Sequence, residues 1–583
     1  MKNSKKSAGR AFLSPRVLQA AGLAGCVLLL ILWHLFDVKD GAAASGAGWL
    51  LTSYGLLAAY GLALLLAVGW LAFVRERLSL ERFFLAVFLG TGLMFLAVLP
   101  PLSAPDEVSH YISAYQLSNR LMGKEACTED GRVLIRAQDA FIEDVDDVMK
   151  DDGSGPQSAD KGKESGKAAQ AAGEEPAKEA GRAADGTEEA SAQARVLGQE
   201  LTQETYRFIR ERGLGGAGTG GEAVSYQLPV RTTPLAYVPQ ALGITLARIL
   251  GLGGLGLLYM GRLFNLAFLG SMGYLAMRRL PFGREVLFGV YMLPMTLHLA
   301  ASLSYDVMII GCSGYFGAVC LDLAFRQERV RPRDVILLAL VLGIMGPCKM
   351  VYGVIAGYCL LIPVRKFGDW KKWTGSAALV LGAFALSMFL VNRGTVSMYV
   401  EATDSYMAWA GEEGYTLSWL VHNPKFVLKM CYDTLAWKGE SLFTGMMGGA
   451  LGNLDPVLNT PFWVILAMWA ILWVLALAGP GERGPEMSMG QKAWIWFLSL
   501  ACLGALMFSM LLGWTPVSAA KIEGVQGRYL LPLLPMLFLT VRGRSLVRAG
   551  GDGRMLLFGM TALDVYVIVR IFAVVCLRVD IAS

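Results

Sequence analysis

The sequence predicts an all-α polytopic membrane protein of about 13 transmembrane helices with a large first outer loop. Three observations predict it. The 583 residues are 55% hydrophobic and only 17% charged. Mean hydropathy is +0.48. Apolar runs of about 20 residues, enough to cross a hydrocarbon core, alternate with turns rich in arginine and lysine. A composition of this kind excludes an ordinary soluble enzyme, a disordered chain, and a nucleic-acid binder held by a basic surface. The net charge of +5 is modest, and its placement carries more information than its size. Fourteen Trp and 20 Tyr suit the aromatic belts of the two membrane faces.

The first span, 17–36, follows Lys2, Lys5, Lys6, Arg10 and Arg16, and is long for a signal peptide. The second, 49–74, ends at Arg75, Arg77 and Arg82, and the third is 83–101. Positive charge marks the cytoplasmic side. The N-terminus and the Arg75–Arg82 turn therefore read as inside, and the chain after Pro101 begins outside. Residues 1–82 form an extra helix pair, and 83–150 hold the third span and the start of the outer loop. Residues 151–195 are Ala, Gly, Glu, Lys and Ser with few large apolar side chains, which predicts a disordered insertion. Residues 196–258 complete the outer loop. Its piece 234–250 reads as an interfacial helix, because a span there would put Arg278, Arg279 and Arg284 on the wrong side.

A transmembrane core over 259–391 then carries spans at 259–277, 285–300, 304–325, 334–346, 349–363 and 373–391. A second outer loop is 392–460. The C-terminal bundle, 461–583, has spans at 461–478, 493–514, 528–541 and 555–577. Several of these are too short to cross straight, so they should be broken or tilted. The result is a multi-pass plasma-membrane protein with its N-terminus in the cytoplasm.

Polar residues at membrane depth or at a span mouth are costly and point to function. They gather on the outer side. The densest group is Pro100-Pro101-Leu102-Ser103-Ala104-Pro105-Asp106-Glu107-Val108-Ser109-His110-Tyr111. A helix starting at Pro105 would put Asp106 and Glu107 four and three positions before His110, on one face. A carboxylate beside an imidazole suits a general base; the same residues also suit an acidic helix start. Asp306, in Ser302-Leu303-Ser304-Tyr305-Asp306, opens a later span from the same side, as a second acid or as a cap. His298 reads as an interface histidine. Lys349 and Arg528, the latter in Gln526-Gly527-Arg528-Tyr529-Leu530-Leu531-Pro532, both break the charge rule and suit an anionic partner. Gly527 permits close backbone approach. No Walker A loop is present, no CxxC occurs, and the four His form no cluster with metal spacing. Carboxylates and out-of-place cations together fit an anionic, lipid-borne substrate.

The string PPLSAPDEVSHYISAYQLS resembles the signature P-P-x-x-P-D-E-x-x-H of a family of bacterial multi-spanning membrane proteins known only as a domain of unknown function. This chain has one extra residue between the proline pair and P-D-E. YVPQALGITLARILG, YMGRLFN, ASLSYD, KMVYGVIA and QGRYLLPLLP continue the likeness as far as Pro535. The family in turn is similar to the GT-C membrane glycosyltransferases. That resemblance implies a polyprenyl-phosphate-linked sugar donor, a glycan or lipid-linked acceptor on the outer face, and no nucleic acid. It implies Asp106 as base with Glu107 as neighbour or alternate, and Asp306 orienting the acceptor or a cation. Lys349 and Arg528 would face the donor phosphate, with Tyr111, Tyr305 and Tyr529 as pocket walls. No cofactor is required. A divalent cation could be held by Asp106, Glu107 and Asp306, since hard cations take carboxylate oxygens. The alternatives are a lipid-linked glycan polymerase or ligase, a transporter or flippase of lipid-linked sugars, and a noncatalytic scaffold. Cys127 and Cys431 both fall in predicted outer loops and could pair.

Overall fold

The computed structural model describes residues 14–75, 78–141, 201–214, 221–230, 232–401, 405–407, 409–455, 457–479, 485–543, 547 and 553–578. The predicted insertion 151–195 and the basic residues before Ser14 lie outside the described residues. In chain order the helices begin with α1 (Pro15–Ser45), α2 (Trp49–Val74), α3 (Leu80–Val98), α4 (Glu107–Leu121), α5 (Gln203–Leu214) and α6 (Val238–Ile249). Next come α7 (Gly254–Arg279), α8 (Arg284–Tyr291), α9 (Pro294–Ala300), α10 (Asp306–Arg326), α11 (Pro332–Cys348) and α12 (Trp370–Arg393). The last are α13 (Leu417–His422), α14 (Pro424–Met447), α15 (Phe462–Ala476), α16 (Met489–Trp514), α17 (Leu534–Leu539) and α18 (Gly553–Leu577). Among the described residues, sheet is confined to two small antiparallel pairs, Leu134–Arg136 with Glu222–Val224 and Tyr406–Met407 with Glu412–Glu413.

Among the described residues, 8 helices are long and apolar enough to cross a membrane: α1, α2, α3, α7, α10, α12, α16 and α18. The remaining predicted spans fall on shorter or interrupted pieces, and the interruptions have local causes. Leu293 is extended (φ −64°, ψ 138°) ahead of Pro294, which separates α8 from α9. Pro347 lies in the last turn of α11, Lys349 is extended, and Met350–Leu361 continues only as a 3₁₀ helix. Pro532 and Pro535 leave α17 six residues long.

Helix α6 is too short to cross, at about 18 Å for its 12 residues. It exposes Leu242, Leu246 and Ile249 and buries Ala241, Ile244 and Ala247, the two-faced pattern of a helix lying along a surface. Gly243 lets it touch α7, since a Cβ there would collide with the Met260 carbonyl. Helix α12 is scarcely buried and carries Leu379, Leu381, Leu386, Phe389 and Leu390 on its surface. Helix α10 is the opposite case, buried along nearly its whole length. It forms the centre of the bundle and runs between the two polar regions described below. Cys127 and Cys431 are not joined; all nine cysteines are free thiols.

Candidate functional site

The site is built on the loop between α3 and α4. Two residues there, Leu102 (φ 71°) and Asp106 (φ 57°), adopt the left-handed conformation, which costs a non-glycine residue roughly 1–2 kcal/mol. The loop is closed by bonds within itself. Ser103 Oγ donates to the Pro100 carbonyl at 2.7 Å, and the Ala104 amide donates to Glu107 Oε2 at 3.1 Å.

Glu107 is the fastening point. Arg262, inside span α7, donates to it through Nε (2.8 Å) and Nη2 (2.5 Å). The same guanidinium caps the end of α3, with Nη1 to the Leu99 carbonyl (2.7 Å) and Nη2 to that of Pro100 (2.8 Å). The Leu303 amide donates to Glu107 Oε1 at 2.8 Å. Both side chains are sealed, at 1% and 0% exposure. A buried ion pair survives only when such extra bonds satisfy its remaining atoms. Glu107 thus ties the α3–α4 loop, α7 and the 302–304 loop together, and its lone pairs are spent on structure.

Asp306 is set by the same framework. Asn265 Nδ2 donates to the carbonyls of Ser302 (2.7 Å) and Ser304 (3.1 Å). Gln240 Nε2 donates to those of Leu303 (3.3 Å) and Ser304 (3.2 Å). The Asp306 amide donates to Ser304 Oγ at 3.2 Å, starting α10. Asp306 Oδ2 then lies 3.4 Å from Arg528 Nε, and both side chains are largely buried. That Nε has no hydrogen-bond partner. Arg528 is brought in by Gly527, where a Cβ would collide with the Leu442 carbonyl and the Met446 amide of α14.

Around this pair stand the other predicted residues. His110 is buried, with Nδ1 2.7 Å from the Tyr237 hydroxyl and its ring edge-on to Tyr305 at 5.3 Å between centroids. Burial pushes its pKa below the ordinary value, while Asp106 and Asp306 pull against that shift. Lys349 Nζ sits 3.2 Å from the centre of the Tyr529 ring, a close cation–π contact. Tyr352 fixes that strand of chain by donating to the Tyr529 carbonyl at 2.6 Å. Asp106 is exposed and has no ion pair among the described residues. It lies within electrostatic reach of His110, Tyr237 and Arg528.

The structure therefore brings together Asp106, His110, Tyr305, Asp306, Lys349, Arg528 and Tyr529. Tyr111 is not with them. It is fully buried on another face of α4, packed edge-on against Tyr115 at 5.7 Å. Residues that carry the site without standing out in the sequence are Arg262, Asn265, Gln240 and Tyr237. Arg262 and Asn265 did carry a signal: two polar residues three apart inside an apolar run share one helix face.

His298 is the other addition. It is buried in α9, and neither ring nitrogen has a partner. It lines an open cavity of about 640 Å³ with Pro105, Gln526 and Arg528. Gln526 Oε1 is likewise unsatisfied. His298 and Gln526 thus bring polar atoms without hydrogen-bond partners to one cavity. Among the described residues no group of three or more His, Cys, Asp or Glu could hold a metal ion.

A family model described as a predicted membrane protein, DUF2142, matches residues 217–537, more than half of the chain. The matched part includes Arg262, Asp306, Lys349 and Arg528 and begins after the Asp106 loop. No curated protein and no solved structure matches.

Proposed function

The chain belongs to the family of predicted membrane proteins described as DUF2142, and on that premise we propose that it is a membrane glycosyltransferase. It would move a sugar from a polyprenyl-phosphate donor to a cell-surface glycan or lipid-linked acceptor. The observation that carries this reading is the exposed carboxylate of Asp106, without an ion pair among the described residues, within electrostatic reach of the buried cation Arg528, which lines one cavity with Pro105. An acceptor hydroxyl gives its proton to Asp106 as its oxygen bonds to the anomeric carbon. The bond from that carbon to the phosphate oxygen breaks, and the electron pair leaves with the polyprenyl phosphate. Arg528 and Lys349 supply positive charge where the leaving phosphate gains negative charge. A single displacement of this kind inverts the anomeric centre. The arginine-rich turns at the far ends of α7 and α10 support an outer-face site by the charge rule.

The test is sugar transfer in membranes from a panel of labelled polyprenyl-phosphate sugars, comparing wild type with Asp106→Asn at equal expression. Transfer by wild type alone supports the reading. Equal transfer by both removes Asp106 as base, and no transfer from any donor by folded protein removes the enzyme.

One observation favours a second reading. The break between α8 and α9 and the 3₁₀ helix Met350–Leu361 are interrupted helices of the kind that transporters use at their substrate sites. A flippase for lipid-linked sugars would move donor across vesicle membranes without any transfer. It would do so equally well with Asp106→Asn.

A further inference from the structure

The far end of α10 carries a second polar region that the proposed activity does not use. An open cavity of about 770 Å³ lies there, lined by Leu275, Arg278, Arg279, Tyr315, Arg326 and Arg333. Four guanidinium groups face two carboxylates. Asp322 takes both Arg279 (2.8 Å) and Arg326 (2.6 Å), and Asp334 lies 3.9 Å from Arg279. Arg278 and Arg333 have no ion pair among the described residues, so the cavity keeps an excess of positive charge.

The walls below these arginines are apolar and face outward. On α11, Arg333 is followed at helical spacing by Ile336 and Leu340, which are 51% and 58% exposed. On α7, Leu275 precedes Arg278 and Arg279 by three and four positions and is 41% exposed. Both helices thus place arginine directly above an exposed greasy stripe, and α7 is long and apolar enough to cross a membrane. Tyr315, half-buried on the otherwise enclosed α10, forms the floor between them. Such a cavity offers bidentate donors to a phosphate oxygen and an apolar slide to an attached chain.

We propose that this cavity binds the phosphate head group of an anionic phospholipid, with the acyl chains lying along Leu275, Ile336 and Leu340. The partner is a bilayer lipid because the apolar stripe continues directly from the arginines. A soluble phosphate would use the arginines alone.

The test is native mass spectrometry of the full chain released from detergent after incubation with phosphatidylglycerol or with phosphatidylcholine. Arg278→Gln/Arg333→Gln should lower phosphatidylglycerol occupancy by about twenty-five-fold, the product of roughly fivefold per arginine. Arg333→Gln alone should lower it by about fivefold. Both arginines lie outside the Arg279–Asp322–Asp334 network, so folding is kept. The control is Arg329→Gln/Lys371→Gln, which removes the same charge from exposed positions outside the cavity. It should retain wild-type occupancy. Equal loss in the control would overturn the site in favour of general surface attraction. Full displacement of the lipid by inorganic phosphate, or equal binding of phosphatidylcholine, would overturn the lipid assignment.

Discussion

Arg262 holds Glu107 through two donated bonds of 2.8 and 2.5 Å, and neither side chain reaches solvent. Removing one member leaves the other charge buried alone, a loss on the order of 3–5 kcal/mol. Glu107→Gln and Arg262→Met should therefore each lower the melting temperature in detergent sharply and abolish transfer. The double variant Glu107→Leu/Arg262→Met should recover part of the melting temperature, because both charges go together. Activity should stay lost, since the α3–α4 loop loses its anchor. Melting curves of the singles and the double would decide it, and additive losses would remove the pair as a unit.

The pH dependence of His110 has a definite sign. Its ring is kept neutral in the folded chain, with a pKa pushed below the ordinary 6.5 by burial. The unfolded chain therefore binds a proton first as pH falls. Stability from this group is complete above pH 6.5 and declines progressively below it. The Tyr237 hydroxyl, whose own pKa burial raises, stays protonated and can donate to the neutral ring. His110→Gln should flatten the fall in melting temperature between about pH 6.5 and pH 5 relative to wild type. An unchanged slope would show that another group controls it.

Much of the site is legible in the sequence, and the remainder is hidden for identifiable reasons. Asp106, Asp306, Lys349 and Arg528 stand out because each is a charge at the end of an apolar run. Arg262 is concealed because averaged hydropathy over 259–277 still passes for a span, although the guanidinium is the framework's centre. Glu107 looks equivalent to Asp106, yet Asp106 stands before α4 in a left-handed conformation (φ 57°), whereas Glu107 is the first residue of the helix. Asp106 is left in the open, whereas Glu107 is driven to Arg262. Within α4, a one-residue step of about 100° carries Tyr111 away from His110 and onto Tyr115. The short spans are broken where Pro294, Pro347 and Pro532 stand, and proline positions were already available to say so.

Gly527 should tolerate no side chain. The collision of a Cβ is with backbone atoms of Leu442 and Met446, which cannot rotate aside. Overpacking of this kind costs roughly 1–3 kcal/mol and would shift Arg528 away from Asp306. Gly527→Ala should lower both melting temperature and transfer. Gly439→Ala, on the same helix α14 with nothing within 4 Å of its added Cβ, should change neither. Equal behaviour of the two variants would show that the contact at Gly527 does not position Arg528.

Asp106 separates chemistry from folding. It is exposed, carries no ion pair among the described residues, and occupies a left-handed backbone conformation at φ 57°. Asn tolerates that conformation, and Gly adopts it without strain. Asp106→Asn should keep the wild-type melting temperature, and Asp106→Gly should match or exceed it by about 1 kcal/mol of relieved strain. Both should lose transfer by about 10²–10⁴, the range for a missing general base. Asp306→Asn should differ on the first count, because it leaves Arg528 buried without its neighbouring charge and so lowers stability as well. Kinetics and melting curves on the three variants distinguish the roles. A carboxylate at 106 that serves only to start α4 would show the reverse pattern, with stability lost in Asp106→Asn and transfer preserved.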